Sequence, residues 1–210
     1  MKVPQRVGVM GGTFDPVHLG HLRVAEEAVE ELQLDSLLFV PAAVPPHKSG
    51  KAILPFAHRW EMLRLATEKH SRFMVSDIEQ RLPGKSYTVL TLRKLSEAYG
   101  DAAQLFFIAG LDAFLEMDTW WHFHDLFRLS HLVVLRRPGY HESEMLGFLR
   151  ERVSSLYAYD GADACYRHPQ LFPVHCLSNT WLDISSTRIR QLAKAGKSVR
   201  YLVPDRKSVV

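Results

Sequence analysis

GGTFDPVHLGHL, Gly11 to Leu22, is the stretch that decides how the rest of the chain is read. Ahead of it the apolar run Arg6-Val7-Gly8-Val9-Met10 predicts a buried strand. Beyond it Leu22, Ala25, Val29 and Leu32 recur at helical spacing, with Arg23, Glu26, Glu27, Glu30 and Glu31 on the other side. Strand, glycine-rich turn and helix in that order is how open α/β folds bind phosphates. Glycines let the backbone approach closely, and the first N–H groups of the helix point outward. His18 and His21 are three apart, so on the opening turn of that helix they share one face. Each imidazole can donate to a phosphate oxygen and carry a positive charge near neutral pH. A lone H-x-x-H is usually a surface pair. Behind a strand and Gly-Gly-Thr-Phe-Asp-Pro, it predicts a site for a transferring phosphoryl group.

The remaining chain extends the alternation. Ser36-Leu37-Leu38-Phe39-Val40 reads as a second strand, followed by a Pro-rich loop and a helix through Trp60, Leu63 and Ala66. Phe73-Met74-Val75 is a third strand. A turn at Pro83-Gly84 precedes a helix carrying Val89, Leu92, Leu95 and Tyr99. Gln104 to Ile108 predicts a central strand, Leu132 to Leu135 a fifth, and Val174 to Leu177 a last one before a helix opening at Ser185. Residues 140–170 show less regular patterning. Strands alternating with helices predict an α/β fold, a Rossmann-like doubly wound parallel sheet with helices on both faces. With no repeat or linker, residues 1–210 are expected to form a single domain, with 184–210 a C-terminal helical segment.

Bulk properties narrow the classes. The 210 residues are 47% hydrophobic and 23% charged, as in ordinary globular proteins, which excludes disorder as the default. A net charge of +3 without a dense Lys/Arg stripe suits small anionic partners and predicts neither nucleic-acid nor membrane binding. The first apolar stretch runs straight into the motif, so no signal peptide is expected, and a reduced, cytoplasmic location is the simple reading. Cys165, His168, His175 and Cys176 lie close together, but C-x2-H-x6-H-C is not a usual zinc spacing. Unliganded thiols and surface imidazoles are expected there, and no metal-binding residues are assigned.

A second segment, Ile184-Ser185-Ser186-Thr187-Arg188-Ile189-Arg190, places three hydroxyl residues at a helix start. By themselves they are good N-caps. Arg190 lies one turn beyond Ser186 and Thr187, so hydroxyls, helix end and guanidinium can meet one anion. Gly196-Lys197-Ser198 looks like the end of a P-loop, but Gln191 stands where the first glycine belongs and a helix precedes it. It reads instead as a helix C-cap. Three further segments bear on a substrate. Val44-Pro45-Pro46-His47-Lys48 leads into a basic loop. Gly84-Lys85-Ser86-Tyr87-Thr88 offers N–H groups at a helix start. Trp120-Trp121 supplies adjacent rings, one of them free to stack on a flat heterocycle.

His18-Leu19-Gly20-His21 resembles the HxGH signature of the nucleotidyltransferase superfamily, and Ile184 to Arg190 resembles its second signature, ISSTxIR. The segments PPHK, SYT and TW, in this order, are similar to those of bacterial nicotinate-nucleotide adenylyltransferases. The likeness runs nearly end to end, through Asp77, Glu79, Arg81, Gly110-Leu111-Asp112 and Arg136-Arg137-Pro138-Gly139. It implies adenylyl transfer from ATP, with Mg²⁺ arriving on the ATP, to nicotinate mononucleotide. Catalytic roles fall to His18, His21 and Arg190. ATP contacts fall to Gly11, Gly12, Thr13, Phe14, Gly110, Asp112, Ser186 and Thr187. Lys48, Tyr87, Thr88, Trp120, Trp121 and Arg137 are assigned to the acceptor. Within that scheme Thr88 and Trp121 present backbone amides to the nicotinate carboxylate, Trp120 stacks on the pyridine, and Asp112 meets the ATP ribose. The family pattern continues into a final helix where this chain stops at Val210, so the packing of its end is expected to differ. Two alternatives stand beside this reading: the same chemistry on nicotinamide mononucleotide or another phosphate acceptor, and a non-catalytic nucleotide sensor.

Overall fold

A computed structural model of the chain describes residues 3–46, 53–136, 139 and 142–204. In chain order the elements are β1 (Gln5–Gly12), α1 (Leu19–Glu31), β2 (Ser36–Pro41), α2 (Phe56–Thr67), β3 (Phe73–Val75), α3 (Thr88–Tyr99), β4 (Ala103–Gly110) and α4 (Leu111–Leu115). They continue with α5 (Phe123–Leu129), β5 (His131–Leu135), α6 (Glu142–Phe148), β6 (Ala158–Asp160), β7 (Cys165–Arg167), β8 (Val174–Leu177) and α7 (Ser186–Lys194). Contacts divide the chain into two compact units. One comprises Met1–Val9 and Tyr87–Asn179, the other Met10–Ser86 and Thr180–Val210.

In the first unit the strand order is β1-β4-β5-β8-β7-β6. β4 and β5 run parallel with Ile108 opposite Val133, and β5 and β8 run parallel with Val134 opposite Cys176. Leu105, Phe106, Phe107 and Ile108 are all buried. Four consecutive buried residues on a strand mean that both of its faces are covered, as in doubly wound α/β sheets. Helix α3 buries Val89, Leu92 and Leu95 at helical spacing and leaves Lys94 and Glu97 outside as an ion pair. One correction concerns residues 140–170, which carry α6 and two short strands. β6 pairs with β7, and β7 with β8, in antiparallel fashion. Four residues join β6 to β7, too few for the crossover that parallel pairing needs. The expected parallel sheet is therefore only mostly parallel.

The second unit holds β3, β2 and the end of β1, in that order, with β2 and β3 parallel and Phe39 opposite Val75. Helix α1 buries Ala25, Ala28 and Val29, and α2 buries Met62 and Leu63. At the far end Ser185 caps α7, its hydroxyl accepting from the Arg188 N–H. Helix α7 stops at Lys194, and Gly196 shows why. Its φ of +66° reverses the chain, with Gly196 N–H donating to Ala193 O and Lys197 N–H to Leu192 O. These two bonds make a Schellman motif, so the Gly-Lys-Ser string is a helix stop. The chain then returns to accept the Leu19 N–H at Leu202 O, beside the start of α1.

Candidate active site

Of the nucleotide-side residues, Gly110 and Asp112 lie in the first unit and the others in the second. β1 ends at Gly12, and Phe14, at φ +49°, turns the chain out of the strand. The Phe14 ring is buried, edge-on to Phe39 at 5.8 Å and to His21 at 5.0 Å between centroids. A Cβ on Gly12 would lie 2.9 Å from the tip of that ring, so this glycine is required for the packing. His18 is the N-cap of α1, and its N–H donates to His21 Nδ1 at 3.2 Å. The two imidazoles stack with centroids 3.6 Å apart. Gly20 completes the arrangement, since a Cβ there would come within 3.1 Å of His18 Nδ1. The first turn of α1 has no acidic residue, so nothing on that turn neutralises the positive helix end.

Burial separates the two histidines. His18 is 7% exposed, its Nδ1 has no hydrogen-bond partner among the described residues, and desolvation pushes its pKa down to about 4. Without a bound anion it is therefore neutral near pH 7. A neutral imidazole still donates one N–H.

Helix α7 reaches the same loop from 170 positions away in sequence. Ser186 Oγ donates to Pro16 O at 2.9 Å. The Arg190 guanidinium donates to Asp15 O, stands 3.8 Å from the Asp15 carboxylate, and contacts Thr187 Oγ1 at 3.3 Å. Ser186 thus fastens α7 to the Asp15-Pro16 turn, while Thr187 and Arg190 lie side by side at the helix start. Gly11, Gly12, Thr13, Phe14, His18, His21, Ser186, Thr187 and Arg190 all fall in this unit.

Sequence reasoning missed Arg59, the largest buried charged side chain described in this unit, at 2% exposed. It donates to three backbone carbonyls: Thr13 O at 2.8 Å, Ala42 O at 2.7 Å and Leu54 O at 2.9 Å. Burial lowers its pKa against the opposing pull of Asp15 and Glu79. A signal existed. Arg59 precedes Met62 and Leu63 by three and four residues, so the helical pattern puts a cation on the buried face of α2.

The acceptor-side residues that can be placed lie in the first unit. Tyr87 is the N-cap of α3 and Thr88 its first residue, a position whose N–H has no partner within the helix. Trp121 is 44% exposed, with its ring 5.0 Å from Tyr87. Trp120 is half-buried against Phe107, so the more open of the two rings is Trp121. Gly110 caps α4, and the exposed Asp112 lies in its first turn. Lys48 and Arg137 lie outside the described residues. The serine of the SYT segment belongs to the second unit, where Ser86 and Val44 exchange two hydrogen bonds of 2.9 and 3.0 Å.

Among the described residues no group of three His, Cys, Asp or Glu is placed to hold a metal ion. His175 is not the surface imidazole expected: it is partly buried and hydrogen-bonded to His131 at 3.2 Å. His168 accepts the N–H groups of Gln170 and Leu171. No helix among the described residues is long and apolar enough to cross a membrane.

Comparison with known proteins shows the family and the fold. Residues 9–192 match the model of a family described as Cytidylyltransferase-like. The chain is 44% identical over 201 residues to a "Probable nicotinate-nucleotide adenylyltransferase" of Geobacter sulfurreducens, covering 95% of this chain and 92% of that one. A protein of the same description from Geobacter metallireducens is 42% identical over the same shares. Among solved structures, Plasmodium falciparum nicotinic acid mononucleotide adenylyltransferase complexed with NaAD superposes with a TM-score of 0.72 at 15% identity, covering 96% of this chain and 91% of that one. The same enzyme complexed with APC gives 0.70 at 14% identity over the same shares. At those identities the superpositions establish the fold.

Proposed function

The chain belongs to the cytidylyltransferase-like family, and from that membership and the geometry of its histidines we infer that it transfers the adenylyl group of ATP to nicotinate mononucleotide, giving deamido-NAD and pyrophosphate for NAD biosynthesis. The mononucleotide phosphate attacks the α-phosphorus in line. A P–O bond forms there as the bond to the bridging oxygen of pyrophosphate breaks. The nucleophile is already an anion, so no general base is needed, and catalysis is positioning and charge stabilisation.

The observation that carries the reading is the stacked His18–His21 pair at the start of α1, on the loop to which Arg190 is anchored. In this scheme His18 donates to the α-phosphate, His21 serves the leaving oxygens, and Arg190 with Thr187 meets the β- and γ-phosphates. Gly11, Gly12 and Thr13 contribute backbone, while the buried ring of Phe14 supports His21 from behind. Ser186 acts on the nucleotide through its hold on Pro16. Mg²⁺ travels with the ATP, held by phosphates and water, and there offsets their charge.

For the acceptor, the N–H groups of Thr88 and Trp121 are assigned to the nicotinate carboxylate, with Tyr87 beside them. A tryptophan ring stacks on the pyridine. Trp120 has that role in the family pattern, and the exposure of Trp121 favours testing both. Lys48 and Arg137 are assigned to the mononucleotide phosphate, and Asp112 with Gly110 to the ATP ribose. A cytoplasmic location fits substrates of this kind.

The test is pyrophosphate release with ATP and Mg²⁺, comparing nicotinate with nicotinamide mononucleotide. A large preference in kcat/KM for the acid supports the assignment. Equal rates overturn the acceptor but keep the chemistry. ATP binding without turnover on either overturns this reaction in favour of another phosphate acceptor or a sensor.

A further inference from the structure

Arg59 does something that the proposed chemistry, on which this inference rests, does not by itself call for. Its guanidinium touches three separate segments of the second unit. Thr13 lies in the phosphate-binding loop, Ala42 directly follows β2, and Leu54 stands just before Pro55, the N-cap of α2. Ala42 and Leu54 bracket residues 43–53, so one side chain holds both ends of that stretch and the phosphate loop together. Ala42 is bound twice, its N–H donating to Gly12 O at 2.8 Å while its carbonyl accepts from Arg59. The next N–H, of Ala43, donates to the Glu79 carboxylate at 3.3 Å. Gly12, Thr13, Ala42 and Arg59 thus form one closed set of hydrogen bonds at the end of β1.

We propose that Arg59 is a positioning residue for phosphoryl transfer: by binding the carbonyls of Thr13, Ala42 and Leu54 it sets the Gly11–Thr13 backbone at the distance from His18 and His21 that ATP requires. The side-chain chemistry fits. A planar guanidinium directs donors along several fixed directions, whereas a lysine ammonium is a point charge that cannot reach three diverging carbonyls from this stem. An apolar residue would leave the three carbonyls without these donors. Asp15 and Glu79 oppose the desolvation of the Arg59 charge, while these three hydrogen bonds all go to backbone, so the group acts on main-chain geometry.

The test uses the full chain carrying Arg59→Lys, with Arg59→Met in parallel. The measurements are Tm, kcat and KM for both substrates, and amide exchange by mass spectrometry with and without ATP and Mg²⁺. The expected result for Arg59→Lys is a folded protein whose kcat falls about 10²-fold, the scale of an ångström-sized displacement at a reacting centre. KM for ATP should change much less, and exchange should quicken selectively over residues 11–15 and at Ala42. A folded Arg59→Lys protein with wild-type kcat overturns the proposal. So does a kcat that falls only with the folded fraction while exchange at Ala42 stays unchanged, since that is what a merely structural role gives. If Arg59→Met does not fold, Arg59→Lys decides alone. Failure of the wild type to turn over either mononucleotide would overturn the proposed reaction, and the exchange comparison would still decide whether Arg59 holds the loop.

Discussion

At His18, burial and charge pull in opposite directions. The residue is the N-cap of a helix whose positive end draws anions, yet burial at 7% exposure lowers its pKa to about 4. A preorganised donor is effective because it needs no reorganisation during the reaction. Removing such a donor costs about 10²–10³ in rate. That loss in kcat/KM is expected for His18→Ala and for His21→Ala, and steady-state kinetics with Tm controls check it. Gly20 gives a subtler test. A methyl group there would press on His18 Nδ1 at 3.1 Å, and that ring already rests on His21 at 3.6 Å. Gly20→Ala should therefore displace the pair by a few tenths of an ångström. Activity should fall roughly tenfold, below the 10²-fold of a full ångström, while Tm changes little. A variant equally active and equally stable would remove the glycine from the catalytic geometry.

Helix α7 shows how one element links the C-terminal part of the chain to the phosphate loop. Only Ile189 is buried on it, so hydrophobic burial contributes little to holding it. Its position depends on its ends: the Ser185 cap, the Ser186 and Arg190 bonds to Pro16 and Asp15, and the Schellman stop at Gly196. Gly196→Ala forces a Cβ into left-handed backbone at a cost of about 1 kcal/mol. Urea titration should show that loss as a lower midpoint with an unchanged slope, and KM for ATP should rise because Arg190 rides on the same helix. Much of this element was legible beforehand. Hydroxyls before an apolar residue announce the cap, and Gly196 announces the stop. The partner of Arg190 was not, because Asp15 lies 175 positions away.

At the scale of the molecule, three partly or largely buried histidines among the described residues respond alike to acid. His18, His131 and His175 are each lowered to about 4, chiefly by desolvation, with Arg6 nearby adding to the effect on the latter two. An unfolded histidine titrates at about 6.5. Between those values the unfolded chain binds more protons, so stability is complete above pH 7 and declines as pH falls from 6.5 toward 4. After allowance for partial screening, each histidine removes about 1 kcal/mol by pH 5.5. Denaturant midpoints measured at pH 7.5, 6.5 and 5.5 check the slope, in a range where ordinary carboxylates stay ionised. His175→Asn should flatten it, having removed one of the three groups. A midpoint independent of pH over that range would mean that these rings are not held neutral.

By itself the sequence determined what short-range physics writes down. The order of strands and helices, the glycine-rich turn, the two histidines on one helical face, and the cap and stop of α7 all depend on neighbours within a few positions. They were readable for that reason. Tertiary structure alone decided the rest. It made His18 neutral by burying it, tied Ser186 and Arg190 to the Asp15-Pro16 turn, and paired β6 and β7 as antiparallel strands. It also placed the Arg59 guanidinium on three carbonyls from three segments. Hydrogen bonds to distant carbonyls leave no periodicity in the chain, and desolvation depends on what packs around a group. Both exist only once the chain has folded.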